Sequence, residues 1–146
     1  MPNPTSPNPA LPRIAASFAR QGMMQTLGAS LTNLQPGQCE ISAPILPQTS
    51  QQHGAGHAGV TFTLGDTAAG YAALSVMEPG REVLTAEMKI NLLAPAMGTR
   101  LVARGRVVKA GRRLVVVTAE VEAEAEDGSR KLVAVLQGTM VPVDPV

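Results

Sequence analysis

The chain has 146 residues, a formal net charge of +1 and an aromatic content of 2%, long enough for one domain with a real core and small enough to gain from oligomerisation. The near-neutral balance and the shortage of rings argue against a nucleic-acid partner, which calls for a basic surface and stacking aromatics. No run approaches the ~18 apolar residues of a membrane span, and the first residues lack both the basic and the apolar region of a secretory leader, so the reading is a cytoplasmic protein with no membrane partner.

Met1 to Pro12 holds five prolines among small and polar residues, a composition that cannot bury a core and reads as a disordered tail, leaving 13–146 as a single domain. The spacing of Ile14, Phe18 and Leu27 predicts a helix over about Arg13 to Thr26, stopped by Gly28. Ala29 to Leu34 and Cys39 to Ile45 read as a hairpin turned at Pro36-Gly37. Cys39 is the single cysteine; an intrachain disulfide is impossible, no Cys/His cluster has metal-ligand spacing, and Cys39 reads as a small core residue. Leu46 to Gly56 is a polar, glycine-rich loop. After His57 an apolar helix is expected to run to about Val76, where Glu78-Pro79-Gly80 breaks it. Four strands are expected over Val83 to Leu93, Leu101 to Lys109, Leu114 to Ala125 and Lys131 to Val141, joined as sequential hairpins into an antiparallel meander.

One long apolar helix between a hairpin and a meander needs a sheet curved enough to cover it, which makes the fold class α+β. At 100° per residue Val60, Leu64, Thr67, Ala68, Tyr71, Leu74 and Ser75 share the face expected to meet the sheet. Asp66 falls on the other side, among Gly59, Phe62, Ala69, Gly70 and Ala73, whose small size would admit another backbone. From Gln21 to Gly80 there is no Lys or Arg, so no sequence neighbour neutralises Asp66. A helical Asp is commonly a solvated decoration, and a His at a helix start is commonly a cap. The combination suggests chemistry instead. The first N–H groups of a helix have no internal acceptor and favour negative charge on an oxygen, and Ala58 and Gly59 are small enough to let a carbonyl approach. Asp66 lies on the order of 10 Å along the axis from Gly59, too far to attack a carbonyl held there. If both act together, a symmetric dimer must bring Asp66 of one chain to the helix start of the other.

The run His57-Ala58-Gly59-Val60-Thr61-Phe62-Thr63-Leu64-Gly65-Asp66-Thr67-Ala68-Ala69-Gly70-Tyr71-Ala72-Ala73, with Lys89-Ile90-Asn91-Leu92-Leu93-Ala94-Pro95-Ala96, resembles hotdog-fold thioesterases of the PaaI (phenylacetate-pathway) type over roughly Leu27 to Pro142. The resemblance implies a curved antiparallel sheet wrapped around a long central helix and hydrolysis of acyl-CoA thioesters. It implies that Asp66 is nucleophile or general base, that the Ala58 N–H polarises the thioester carbonyl, and that His57 lies near the leaving thiolate or helix start. Gln51 would orient water or substrate, and Thr85 would position the attacking water beside the carboxylate. Asp66 and Thr85 would come from one subunit, with Gln51, His57 and Ala58 from its partner, in a homodimer that pairs into a tetramer. No cofactor is implied, coenzyme A being part of the substrate. Two departures bear on rate and acyl choice: the family usually has Gly where Ala58 stands, and its aspartate-bearing members often have Asn where Gln51 stands. His53 has no assigned role.

Arg100, Arg104 and Arg106 are expected to pair across strands with Glu120, Glu122, Glu124 and Glu126. Lys109, Arg112 and Arg113, at a hairpin tip away from that acidic run, are candidates for contact with nucleotide phosphates. Two other readings stand beside hydrolysis: a non-catalytic acyl-CoA sensing module, and an enoyl-CoA hydratase or dehydratase with His57 as base.

Overall fold

The computed structural model describes residues 10–146. Its elements are α1 (Ala10–Ala19), α2 (Gly22–Leu27), β1 (Ser30–Gln35), β2 (Gln38–Pro44), a single 3-10 turn (Pro47–Thr49), α3 (Ala58–Leu74), β3 (Glu82–Leu92), β4 (Arg100–Ala110), β5 (Val115–Glu124) and β6 (Arg130–Val143). No helix among the described residues is long and apolar enough to cross a membrane.

The N-terminal region departs from expectation in two ways. Residues 1–9 of the expected tail lie outside the described residues, whereas Ala10 to Pro12 form the first turn of α1. Pro12 is tolerated there because the first-turn N–H groups have no intrahelical acceptor to lose. The single helix expected to Thr26 is broken: Gln21 takes up extended geometry (φ −75, ψ 110) between α1 and α2. Gly28 does stop the second piece, at φ 66 with its N–H on the Gln25 carbonyl, a left-handed cap that glycine adopts without strain.

All six strands form one antiparallel sheet in the order β1-β2-β4-β5-β6-β3. The meander therefore covers β4, β5 and β6 only, and β3 does not pair with β4. Leu93 to Thr99 carries the chain across the sheet, and β3 becomes the edge strand beside β6. Turn signals such as Pro95 and Gly98 mark where a strand ends, but they do not state whether the next strand folds back or crosses over.

The curved sheet wraps α3. Leu64, Ala68, Ala69, Ala72 and Ala73 have no exposed surface, and Thr61, Gly65 and Gly70 are buried with them. The covered surface is wider than the expected face, and Thr67 stays partly exposed. Ala69 and Ala73 are consumed by packing within the chain. Contact is close because the meeting residues are small: a Cβ on Gly105 of β4 would lie 2.3 Å from the Ala68 carbonyl carbon and 2.4 Å from the Ala69 nitrogen. Cys39 is buried in this core, and desolvation pushes its thiol up to about 12. α3 ends at Leu74 rather than Val76; the Ser75 hydroxyl caps it by donating to the Ala72 carbonyl (2.6 Å) and accepts the Gly37 N–H of the β1–β2 turn (2.7 Å).

Candidate active site

The loop before α3 is held rigidly by main-chain bonds. Gln51 N–H donates to the Ala55 carbonyl (2.8 Å), Gly56 N–H to that of Ala96 (2.9 Å) and His57 N–H to that of Thr49 (2.9 Å). His57 is the N-cap of α3, its Nδ1 accepting the Gly59 N–H at 2.8 Å. With Nδ1 engaged as an acceptor, Nε2 is the ring nitrogen left to donate. It also removes Gly59 as a carbonyl-binding donor, correcting the expectation that both Ala58 and Gly59 offer one. Gly59 has a different duty: a Cβ there would lie 2.9 Å from His57 Nδ1, so a side chain would disturb the cap. Val60 and Thr61 both donate to the His57 carbonyl (3.0 and 3.3 Å). Among the described residues the Ala58 N–H alone in the first turn meets no acceptor, and Ala58 is exposed. Gln51 is partly buried and its Oε1 accepts the His53 N–H. Its amide nitrogen has no partner among the described residues.

Asp66 projects from the middle of α3 toward β3, half-buried. Its Oδ1 accepts a hydrogen bond from Thr85 Oγ1 at 2.8 Å, and that hydroxyl also lies 3.3 Å from Met140 Sδ. Burial holds the carboxyl above its ordinary value, and the Thr85 bond offsets part of that rise. Thr85 reaches Asp66 because of a β-bulge. Thr85 pairs with Met140 while Glu87 pairs with Thr139, leaving Ala86 unpaired. The extra residue reverses the alternation of β3. Val83 and Thr85 face α3, whereas Glu87 points to the other face and accepts a hydrogen bond from Thr139 Oγ1 (2.8 Å).

Beside this pair is a cavity of about 180 Å³ between α3 and β3. Gln21, Thr67, Gly70, Tyr71, Val83 and Met140 complete its lining. The sequence reading missed all six of these as site residues. Gly70 and Tyr71 stand about one turn beyond Asp66, a spacing that could have flagged them, but nothing in the sequence signals Gln21. A larger groove, about 690 Å³, crosses the face of the sheet away from α3 between Gln38, Arg106, Thr118, Gln137 and Lys89. It contains neither Asp66 nor the helix start.

The basic residues divide as expected in part. Arg100 pairs with Glu124 (2.9 Å), and Arg104 pairs with Glu122 and, unforeseen, with Glu40 (2.8 Å). Arg106 makes no ion pair among the described residues. Lys109, Arg112 and Arg113 are exposed around the β4–β5 turn, with no ion pair among the described residues. The adjoining row of the sheet runs Ala110, Val115, Met140, Thr85, so the tip stands at the same end of the sheet as Thr85, roughly 14 Å away across three strand spacings.

A carboxylate of raised proton affinity, hydrogen-bonded to a hydroxyl beside a small cavity, stands on a sheet wrapped around a helix, the hotdog arrangement. The family model for the thioesterase superfamily matches residues 53–129. A Saccharolobus solfataricus protein named as an esterase is 31% identical over 115 residues, covering 79% of this chain and 73% of that one. The crystal structure of a thioesterase family protein from Silicibacter pomeroyi superposes with a TM-score of 0.89 at 43% identity, over 92% of this chain and 98% of that one. The E. coli PaaI protein of the phenylacetic acid degradation operon shares the fold, with a TM-score of 0.81 at 22% identity over 94% and 95% of the two chains. The chain belongs to the thioesterase superfamily, which places it among the hydrolases.

Proposed function

We propose that the protein hydrolyses acyl-coenzyme A thioesters to the free acid and coenzyme A, at sites shared across a homodimer. The observation that carries this reading is Asp66, half-buried, held through one oxygen by Thr85 and facing a cavity. The second carboxylate oxygen is free to take a proton from water as that water attacks the thioester carbonyl. The carbonyl oxygen becomes negative and is met by the one uncommitted N–H of a helix start. As the tetrahedral centre collapses, the C–S bond breaks and the thiolate leaves, taking up the proton. Direct attack by Asp66 through a mixed anhydride yields the same products. Single turnover in oxygen-labelled water separates the two routes.

Ala58 and Asp66 of one chain are roughly 12 Å apart along their helix axis, so the donor is assigned to the partner subunit's Ala58. Self-association is supported by β3, an 11-residue edge strand with Leu84 58% exposed and Leu92 55% exposed. A long unpaired edge with apolar side chains favours pairing with another chain. Gln51, through its free amide, is assigned to water or the leaving group. Lys109, Arg112 and Arg113 are assigned to the nucleotide phosphates, and no metal or cofactor enters the scheme. His57 serves as the helix cap, with its Nδ1 lone pair already used, which disfavours a hydratase in which it acts as base. A second pairing of dimers into a tetramer is part of the proposal.

The test is thiol release from a panel of acyl-CoA esters by the native protein and by Asp66→Asn. Loss of a general base is expected to cost about 10²–10⁴-fold in rate while folding and ester binding persist. Tight binding without turnover in the native protein would give the place to the sensing reading.

A further inference from the structure

Resting on that reading of the Asp66 site, the geometry points to the cavity between α3 and β3 as the seat of the acyl group, with Gly70 and Gln21 setting the size it accepts. Glycine inside a helix is less stable than alanine, so its presence needs a reason. Two other buried glycines have a steric one: a Cβ on Gly65 would lie 2.9 Å from Leu136, and one on Gly105 only 2.3 Å from the main chain of α3. Gly70 has neither a positive φ nor a blocking neighbour. The one atom its Cβ would meet is Met140 Cε at 3.8 Å, an ordinary contact. Conformation and packing both allow alanine at position 70, and what the methyl group would fill is the cavity, one helical turn from Asp66.

Gln21 lines the cavity from the N-terminal side. It is the N-cap of α2 yet makes no cap bond; its Nε2 donates instead to Tyr71 Oη at 2.8 Å, and Ser17 Oγ lies 3.0 Å from the same hydroxyl. The helix that carries Ser17 is tied to the start of β3 by Arg13 and Glu82 (2.5 Å). The segment from α1 to Gln21 is thus anchored to both α3 and β3. A cavity of about 150 Å³ is known to hold benzene, so the 180 Å³ here has room for a single ring or a short chain.

The experiment follows thiol release along a series of acyl-CoA esters of increasing acyl size. Gly70→Ala should lower kcat/KM in a size-graded way, by about tenfold or more for the largest acyl group accepted, the worth of one methyl group in a pocket. The loss should fall mainly in KM, and the thermal midpoint should stay equal or rise, which a merely structural glycine would not allow. Gln21→Ala should act oppositely and move the limit to larger acyl groups, while Gln21→Met, similar in length, should restore the original limit. Size profiles that both Gly70→Ala and Gln21→Ala leave unmoved would overturn the assignment. If the native protein releases no thiol from any ester, the hydrolytic reading falls. The cavity is then judged by affinity for S-alkyl-coenzyme A thioethers of graded size, where a limit that shifts with the two substitutions sustains it and a fixed limit overturns it.

Discussion

Asp66 loses water on entering the interface between α3 and β3 and gains one hydrogen bond, from Thr85, that opposes the resulting rise in its proton affinity. In the unfolded chain its carboxyl ionises near 3.8, whereas in the fold it keeps its proton to higher pH. Below 3.8 both states are protonated and the fold loses nothing. As pH rises through the folded value the unfolded state has already ionised, and stability falls. Asp66→Asn should therefore raise the thermal midpoint at neutral pH and give no such gain in acid; equal gains at both would contradict a desolvated carboxylate. On the proposed mechanism activity runs the other way, because the ionised form is the base. Thr85→Val removes the bond that favours ionisation and should move the acid limb of kcat/KM to higher pH. It should also slow turnover about ten- to a hundredfold, the worth of a hydrogen bond to a charged group. A pH–rate profile checks both. Asp66 was legible in the sequence because it is one carboxylate on an apolar helix within a run free of Lys and Arg. Thr85 came only with the family resemblance, since nothing local distinguishes a threonine on a strand. Gln21 was out of reach because its meaning comes from Tyr71, 50 residues away.

Elements were legible where a local signal sets them. The Pro36-Gly37 turn, the left-handed stop at Gly28 and the long apolar helix after His57 each follow from residues within a few positions. Pairing order and phase do not. Strand β3 carries no mark that sends it past three strands to β6, and the bulge at Ala86 that turns Thr85 toward Asp66 depends on its register with Met140 and Thr139. The close seating of α3 on β4 is similarly nonlocal, since Gly105 resembles any strand glycine until the helix backbone is found against it. Gly105→Ala puts a methyl group where the Ala68–Ala69 peptide already lies. A cost of at least about 1–3 kcal/mol is expected from overpacking, as neither backbone can withdraw without disturbing the sheet. Urea unfolding should show a lower midpoint at unchanged slope. An unaltered midpoint would mean that the helix seats less tightly on the sheet.

At the scale of the whole molecule, the proposed chemistry draws on two points of a single helix that one chain cannot bring together. The Ala58 N–H is at the start of α3 and Asp66 is near its middle, and a rigid helix fixes their separation. Each half also faces an uncovered surface: Ala58 and Gly59 are exposed, and β3 offers an open edge with exposed Leu84 and Leu92. The spacing argument for a shared site was available from the sequence, but the open edge that would bring two copies together appears only once β3 is known to lie at the end of the sheet. Subunit complementation tests this sharing directly. Ala58 is the first residue of α3, where proline is well tolerated and lacks only the N–H, so Ala58→Pro deletes the donor and leaves the helix. Ala58→Pro and Asp66→Asn should each be nearly inactive alone. Unfolded together and refolded as a mixture, half the dimers pair the two variants, and in each of those one site receives Asp66 from one subunit and the Ala58 N–H from the other. Activity should then return to about a quarter of the native rate, as expected for random pairing about a two-fold axis. A mixture no more active than its components would place donor and carboxylate in the same chain and end the shared-site reading.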